Sequence, residues 1–188
     1  ISTDEVFGSL EKDCFFNEQT KYDPRSPYSA SKAASDHLVN AWHNTYGLPI
    51  SITNCSNNYG PWQFPEKLIP LIILKGIAGK KIPLYGDGQN VRDWLYVEDH
   101  VEAILTTTIM GDIGKTYCVG GGNQFSNLYV AEAICDLLDQ YLDRDFTHRN
   151  LISFVKDRPG HDKRYAIDSK LIFKEIGWKS KFSFENLL

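Results

Sequence analysis

The spacing of apolar positions changes several times along the chain, and each change marks an element. Ile1 to Thr3 reads as the end of a short strand running into a loop from Asp4 to Gly8. A polar, loop-like stretch follows and is broken by Pro24 and Pro27. From Tyr28 to Tyr46, Ala30, Ala33, Ala34, Leu38, Val39 and Trp42 recur at helical spacing, and Gly47 closes that helix. Pro49 to Cys55 is a β-rich run that opens into the polar loop Ser56 to Pro61. Strand, helix and strand in that order predict a parallel sheet.

The remainder is more mixed. Leu68 to Gly76 reads as a helix, Ile82 to Tyr85 as a strand before the turn Gly86-Asp87-Gly88, and Trp94 to Met110 as a strand end passing into a helix. Thr116 to Val119 is a predicted strand, Leu128 to Leu142 a helix, Ile152 to Val155 a strand, and Asp168 to Ile176 a helix closed by Gly177. The expected fold is α/β: the C-terminal half of a Rossmann-like parallel sheet with a smaller mixed α/β domain. The boundaries expected are 1–61 for the first, with a return around 92–120, and 62–188 for the second.

Composition narrows the classes. The chain has 188 residues, 42% hydrophobic and 23% charged, which suffices for a sizeable core. A net charge of −4 without a basic block argues against a nucleic-acid partner. No apolar run approaches the roughly 20 residues of a membrane span, and the first residues lack the features of a signal peptide. Cys14, Cys55, Cys118 and Cys135 are scattered without metal-site spacing, so structural thiols in a reducing cytoplasm are expected. The absence of an initiator Met and a start inside a strand read as a fragment or a processed product.

Tyr28-Ser29-Ala30-Ser31-Lys32 carries the first chemistry. Positions four apart share a helix face, so Tyr28 and Lys32 point the same way. A phenol titrates near 10. An ammonium about 4 Å away, at an effective dielectric near 20, is worth roughly 4 kcal/mol. That is about three pKa units, enough to make the phenol a usable base at neutral pH. A surface tyrosine beside a solvated lysine is the alternative. Upstream, Thr3 ends a strand, where open parallel sheets place their ligands. Asp4 and Glu5 follow at once; alone they would read as two solvated carboxylates. Two carboxyl groups held at different pKa values could divide the removal of one proton and the delivery of another.

Thr3, then Tyr28-x-x-x-Lys32, resembles the extended short-chain dehydrogenase/reductase superfamily, and Thr3-Asp4-Glu5-Val6-Phe7-Gly8 resembles its sugar-nucleotide 4,6-dehydratases. Asn57 to Pro61, Phe64 to Pro70, Gly86 to Gly88, Val91 to Trp94 and Asp157 to Asp162 are similar to the dTDP-glucose 4,6-dehydratases in particular. The resemblance covers essentially the whole chain. It implies loss of water from dTDP-glucose to give a 4-keto-6-deoxy sugar, with NAD as cofactor. Thr3, Asp4, Glu5, Tyr28 and Lys32 would be catalytic; Tyr28, Lys32 and Asn58 would hold NAD. Thr3, Asn57, Lys67, Leu68, Pro83, Leu84, Tyr85, Arg92, Asn127, Asp157, Arg158, Pro159, Gly160 and His161 would line the nucleotide-sugar site. A planar bidentate donor such as Arg92 or Arg158 suits a diphosphate. A homodimer built partly through the Tyr28 to Tyr46 helix is also implied.

Each role has a plainer alternative: Asn57 and Asn58 as turn formers, Arg92-Asp93 as an ion pair, Pro159-Gly160 as a loop. The other enzyme reading is a 4,6-dehydratase of a UDP or GDP sugar; the non-enzyme reading is a domain that only binds nucleotide sugars. Gly86-Asp87-Gly88 and Gly120-Gly121-Gly122 both fail the dinucleotide fingerprint at its last glycine. The resemblance puts that fingerprint before Ile1, so this chain alone is expected to bind NAD weakly or not at all and not to turn over. Asp99 is expected to cap a helix. His37, His43 and His148 show no ligand spacing, and no metal is expected.

Overall fold

A computed structural model describes residues 1–187. Strand β1 (Ser2–Thr3) pairs in parallel with β2 (Ile52–Cys55), and β2 pairs in parallel with β6 (Thr116–Val119). All four β2 residues are buried, as in a parallel sheet covered on both faces. Helix α1 (Pro27–Tyr46) makes the crossover from β1 to β2. Ser26 and Ser29 close a reciprocal capping box at its start, Pro27 takes the first turn, and Gly47 ends it in the left-handed region at φ 69°.

Helix α2 (Leu68–Ile77), strand β4 (Ile82–Tyr85), strand β5 (Val91–Tyr96) and helix α3 (Val97–Met110) follow β3 (Asn57–Tyr59). After β6 come β7 (Gln124–Ser126), α4 (Asn127–Tyr141), β8 (Ile152–Val155), α5 (Lys170–Ile176) and α6 (Phe184–Leu187). A second sheet has the order β3-β5-β7, parallel then antiparallel, and a third pairs β4 with β8 in parallel. Alternation along β5 sends Trp94 and Leu95 to opposite faces. Trp94 joins a core with Ile72, Ile82, Ile134 and Phe184, and Leu95 one with Ala103, Tyr117, Val119 and Trp178. A third cluster holds Val6, Phe7, Phe16, Ala33, Tyr165 and Ile167.

Three expectations are corrected, and one strand, β7, is added. Asp4 to Phe7 forms a single 3-10 turn rather than an open loop, because Thr3 caps it. Within the expected polar loop, Asn57 to Tyr59 is strand β3, held by the register Asn57↔Trp94 to Tyr59↔Tyr96. β7 had no periodicity of its own; Phe125 and Gln124 extend because Arg92 and Asp93 pair with them. Asp99 does not cap α3: its Oδ2 accepts from Ser180 Oγ and the Lys181 and Phe182 N–H groups, fastening the 180–182 segment instead. Gly121 explains a tight crossing, since a Cβ there would lie 2.0 Å from the Trp94 carbonyl oxygen.

Candidate active site

β1 delivers Thr3 to the carboxyl end of the first sheet. The Thr3 hydroxyl accepts from the Glu5 N–H at 3.3 Å and donates to Asp4 Oδ1 at 3.3 Å. The turn that results buries Asp4 and leaves Glu5 half-buried. Helix α1 is stitched against this strand. Lys32 Nζ donates to the Ile1 carbonyl at 2.9 Å, and Ser2 Oγ donates to Asp36 Oδ2 at 2.6 Å. Asp36, also buried, accepts from Tyr22 at 3.0 Å as well, so strand, helix and the preceding loop meet at one carboxylate.

The two acidic side chains differ in environment. Asp4 is enclosed, and its Oδ2 has no hydrogen-bond partner among the described residues. Burial drives its pKa well above the usual carboxylate range; the charges of Glu5 and Asp93 push the same way, against Arg92 and the Thr3 hydrogen bond. Burial also raises Glu5, but Arg92, Lys67 and Arg158 oppose it, while Asp162 adds to it. One carboxyl is therefore held toward its neutral acid, and the other keeps cations within reach. That is an arrangement able to give one proton and take another.

Tyr28 is half exposed and senses both carboxyls. Burial raises its phenol first, then the charges of Glu5, Cys55 and Asp4. The expected Lys32–phenol pairing is not what the structure contains: the Lys32 ammonium is bound to the Ile1 carbonyl, and the phenol sits above, not below, its ordinary value. Tyr28 and Lys32 do share one face of α1, and that face meets β1 and the turn after it.

Arg92 closes the far side. It is buried on β5, donating to the Val91 carbonyl at 2.8 Å and the Asp162 carbonyl at 2.9 Å, with burial lowering its pKa. The tips of β4 and β8 bring Tyr85 and the 157–161 segment together: the Arg158 guanidinium lies 5.0 Å over the Tyr85 ring. Arg158 also contacts His161 Nε2 at 2.9 Å, and His161 Nδ1 meets Asp157 at 2.7 Å. An arginine can only donate, so Nε2 accepts, and Nδ1 carries the proton given to Asp157. Burial lowers the His161 pKa, consistent with that neutral ring. Pro159 and Gly160 are exposed in the same loop.

The other predicted residues are spread around this centre. Lys67 caps the start of α2, exposed, with its charge felt at Glu5. Leu68 packs partly into the core beside it. Of the 83–85 segment, Leu84 turns into the core at 1% exposure, leaving Pro83 and Tyr85 on the open side. Asn127 opens α4, its N–H given to the Asn90 carbonyl. Asn57 has a buried Oδ1 without a partner among the described residues. The Asn58 side chain is engaged: it donates to the Ser56 carbonyl at 3.0 Å, and its Oδ1 meets His100 Nδ1 at 2.8 Å.

Several participants escaped the sequence reading. His100 orients Asn58, and burial lowers its pKa to about 4, which keeps it neutral. Asp93 lies fully buried behind Asp4, and Tyr165 and Asp162 flank Arg92. Asp93 and Asp162 stood in motifs already singled out, and Tyr165 lies three residues beyond the second; for His100 no local signal existed.

Known proteins resemble the chain throughout. A dTDP-glucose 4,6-dehydratase of Xanthomonas campestris pv. campestris (strain B100) is 57% identical over 187 residues, covering 98% of this chain and 53% of that protein. The crystal structure of a dTDP-glucose 4,6-dehydratase from Bacillus anthracis str. Ames in complex with NAD superposes with a TM-score of 0.91 at 47% identity, covering 99% of this chain and 57% of that one. Another dTDP-glucose 4,6-dehydratase, from Streptomyces venezuelae with NAD and a second ligand bound, gives 0.92 at 42%, covering 99% and 55%. The chain thus spans about half the length of the curated relatives it matches. Its α/β fold is that of these Rossmann-like enzymes. The family model described as GDP-mannose 4,6 dehydratase matches residues 1–188, and the chain belongs to that family.

Proposed function

We propose that this chain carries the acid–base and nucleotide-sugar side of a dTDP-glucose 4,6-dehydratase that yields the 4-keto-6-deoxy sugar. One observation carries the reading. A buried Asp4, whose Oδ2 has no hydrogen-bond partner among the described residues, sits next to a cation-flanked Glu5, both within electrostatic reach of Tyr28. An epimerase or simple dehydrogenase would need the tyrosine alone; eliminating water across two carbons also needs a base and an acid.

NAD fits as the group beside them. Asn57 Oδ1, Ser56 Oγ and Gln63 Oε1, near the ends of β2 and β3, are buried polar atoms without partners among the described residues, which a polar ligand would satisfy. Tyr28 and Lys32 would hold its ribose, with Asn58 at its nicotinamide end, and when bound it would supply the hydride acceptor and donor. The chain's own residues move protons. Thr3 would orient the sugar's 4-hydroxyl, and Tyr28 would take its proton, the positive charge of a bound nicotinamide opposing the burial that raises its phenol. Once C4 is a ketone, the C5 proton is acidic; Glu5 takes it and Asp4 protonates the departing 6-hydroxyl. Glu5 later returns a proton to C5.

Arg92 and Arg158 would grip the diphosphate, with Asn57, Lys67, Leu68, Asn127 and the 157–161 loop around it. Pro83 and Tyr85, with the Leu84 backbone between them, would face the base. We assign 1–61, with the return around 92–120, to the cofactor side and 62–188 to the substrate side. A homodimer would use the outer stripe of α1, where Leu38, Trp42 and Tyr46 are 62%, 55% and 71% exposed. Among the described residues no helix is long and apolar enough to cross a membrane, and a cytoplasmic location is proposed. The test is conversion of dTDP-glucose, with NAD added, by protein expressed from the complete reading frame. The 4-keto-6-deoxy product is followed by mass spectrometry, with UDP-glucose and GDP-mannose in parallel. Conversion of dTDP-glucose foremost is expected; turnover of none of the three overturns the reading.

A further inference from the structure

Arg92 is surrounded in a way its proposed contact with a ligand does not require. Its guanidinium carbon lies 4.3 Å from the centre of the Tyr165 ring, a cation–π stack away from solvent. The Tyr165 hydroxyl donates to Asp162 Oδ2 at 2.6 Å, and the Asp162 backbone carbonyl accepts from Arg92 at 2.9 Å. The ring is immobile for independent reasons. Its backbone is paired, Tyr165 N–H to the Val91 carbonyl at 3.1 Å, and the ring packs 6.4 Å from Phe16 in the third core cluster. The second Asp162 oxygen is buried without a hydrogen bond among the described residues, 4.0 Å from the guanidinium of Arg25, just before α1. One residue pair thus touches both the diphosphate side and the approach to Tyr28.

A free arginine side chain has many rotamers, and freezing them on binding weakens affinity. We infer that Tyr165, pinned by Asp162, is a positioning residue: it holds the Arg92 guanidinium in place before any ligand arrives, and so sets the affinity for a nucleoside diphosphate. This rests on the reading above that Arg92 meets the diphosphate. The pair contributes geometry rather than chemistry, since neither side chain needs to touch the ligand for its effect.

The test is a ligand-observed NMR titration of the protein expressed from the complete reading frame with dTDP, and with thymidine as a ligand that lacks the diphosphate. Arg92→Ala should weaken dTDP by more than about tenfold, the scale of a lost charged contact. Tyr165→Leu should weaken dTDP by about tenfold, from the lost stack and the freed rotamers. Tyr165→Phe keeps the ring but loses the pin to Asp162, and should weaken dTDP by about threefold. Thymidine binding should be equal in all four proteins; a residue that merely supports the fold would weaken both ligands together. Should Tyr165→Leu fail to fold, Asp162→Ala decides, with a loss of about threefold expected. No dTDP binding by the parent chain sinks both this inference and the nucleotide-sugar reading. Binding by the parent that Arg92→Ala weakens, with parental affinity in Tyr165→Leu or Asp162→Ala, sinks the inference alone.

Discussion

Asp93 offers a measurable link between burial and the proposed chemistry. It lies on β5 beside Arg92, with no exposed surface. Its Oδ1 accepts from the Asn123 N–H at 3.1 Å and its Oδ2 from the Ile167 N–H at 3.2 Å. Burial outweighs these bonds and raises its pKa from 3.8 to about 6. Roughly two units at 1.36 kcal/mol each give about 3 kcal/mol. The sign follows from which state holds the proton more tightly. The folded chain does, so the contribution is fully present below the unfolded value and is lost as pH climbs through the folded one. Asp93→Asn cannot ionise and loses that dependence. It places an amide NH2 where a backbone N–H needs an acceptor, costing about 1–3 kcal/mol at every pH. The variant should therefore be less stable than the parent near pH 4 and equal or better near pH 7, a relative swing of about 3 kcal/mol. Urea unfolding followed by circular dichroism at several pH values measures it, and Asp4 titrates in both proteins. A stability difference that does not change with pH would refute the argument that burial, rather than the amide contacts, governs this carboxyl.

Two further outcomes are expected. Glu5→Gln, in protein from the complete reading frame, should spare oxidation at C4 and slow release of water by about a hundredfold or more. Mass spectrometry would then find a 4-keto sugar that keeps its 6-hydroxyl; 4-keto-6-deoxy product at the parental rate would remove Glu5 from the mechanism. Gly121→Ala drives a methyl group to 2.0 Å from the Trp94 carbonyl oxygen and should cost about 1–3 kcal/mol, read as a lowered melting temperature.

Local signals accounted for much of the architecture. Ser26, Pro27 and Gly47 bound α1 because capping and backbone freedom depend on a few neighbouring residues, and the apolar spacing of α4 and β2 needed no distant partner to be read. The run from Thr3 to Glu5 and the pair Tyr28 and Lys32 were visible for the same reason: spacing along one strand and one helix is a local property. What escaped was everything decided by distant segments. Asn57 to Tyr59 is extended because β5 lies beside it, and Leu84 leaves the open face because a core needed filling. Lys32 binds the Ile1 carbonyl just before β1 instead of the phenol, since only the packed helix shows which acceptor is nearer. Asp4 and Glu5 are neighbours of the same chemical kind, and nothing in their order says which would be buried. Desolvation comes from atoms dozens of residues away, so the division of an acid from a base between them belongs to the tertiary structure.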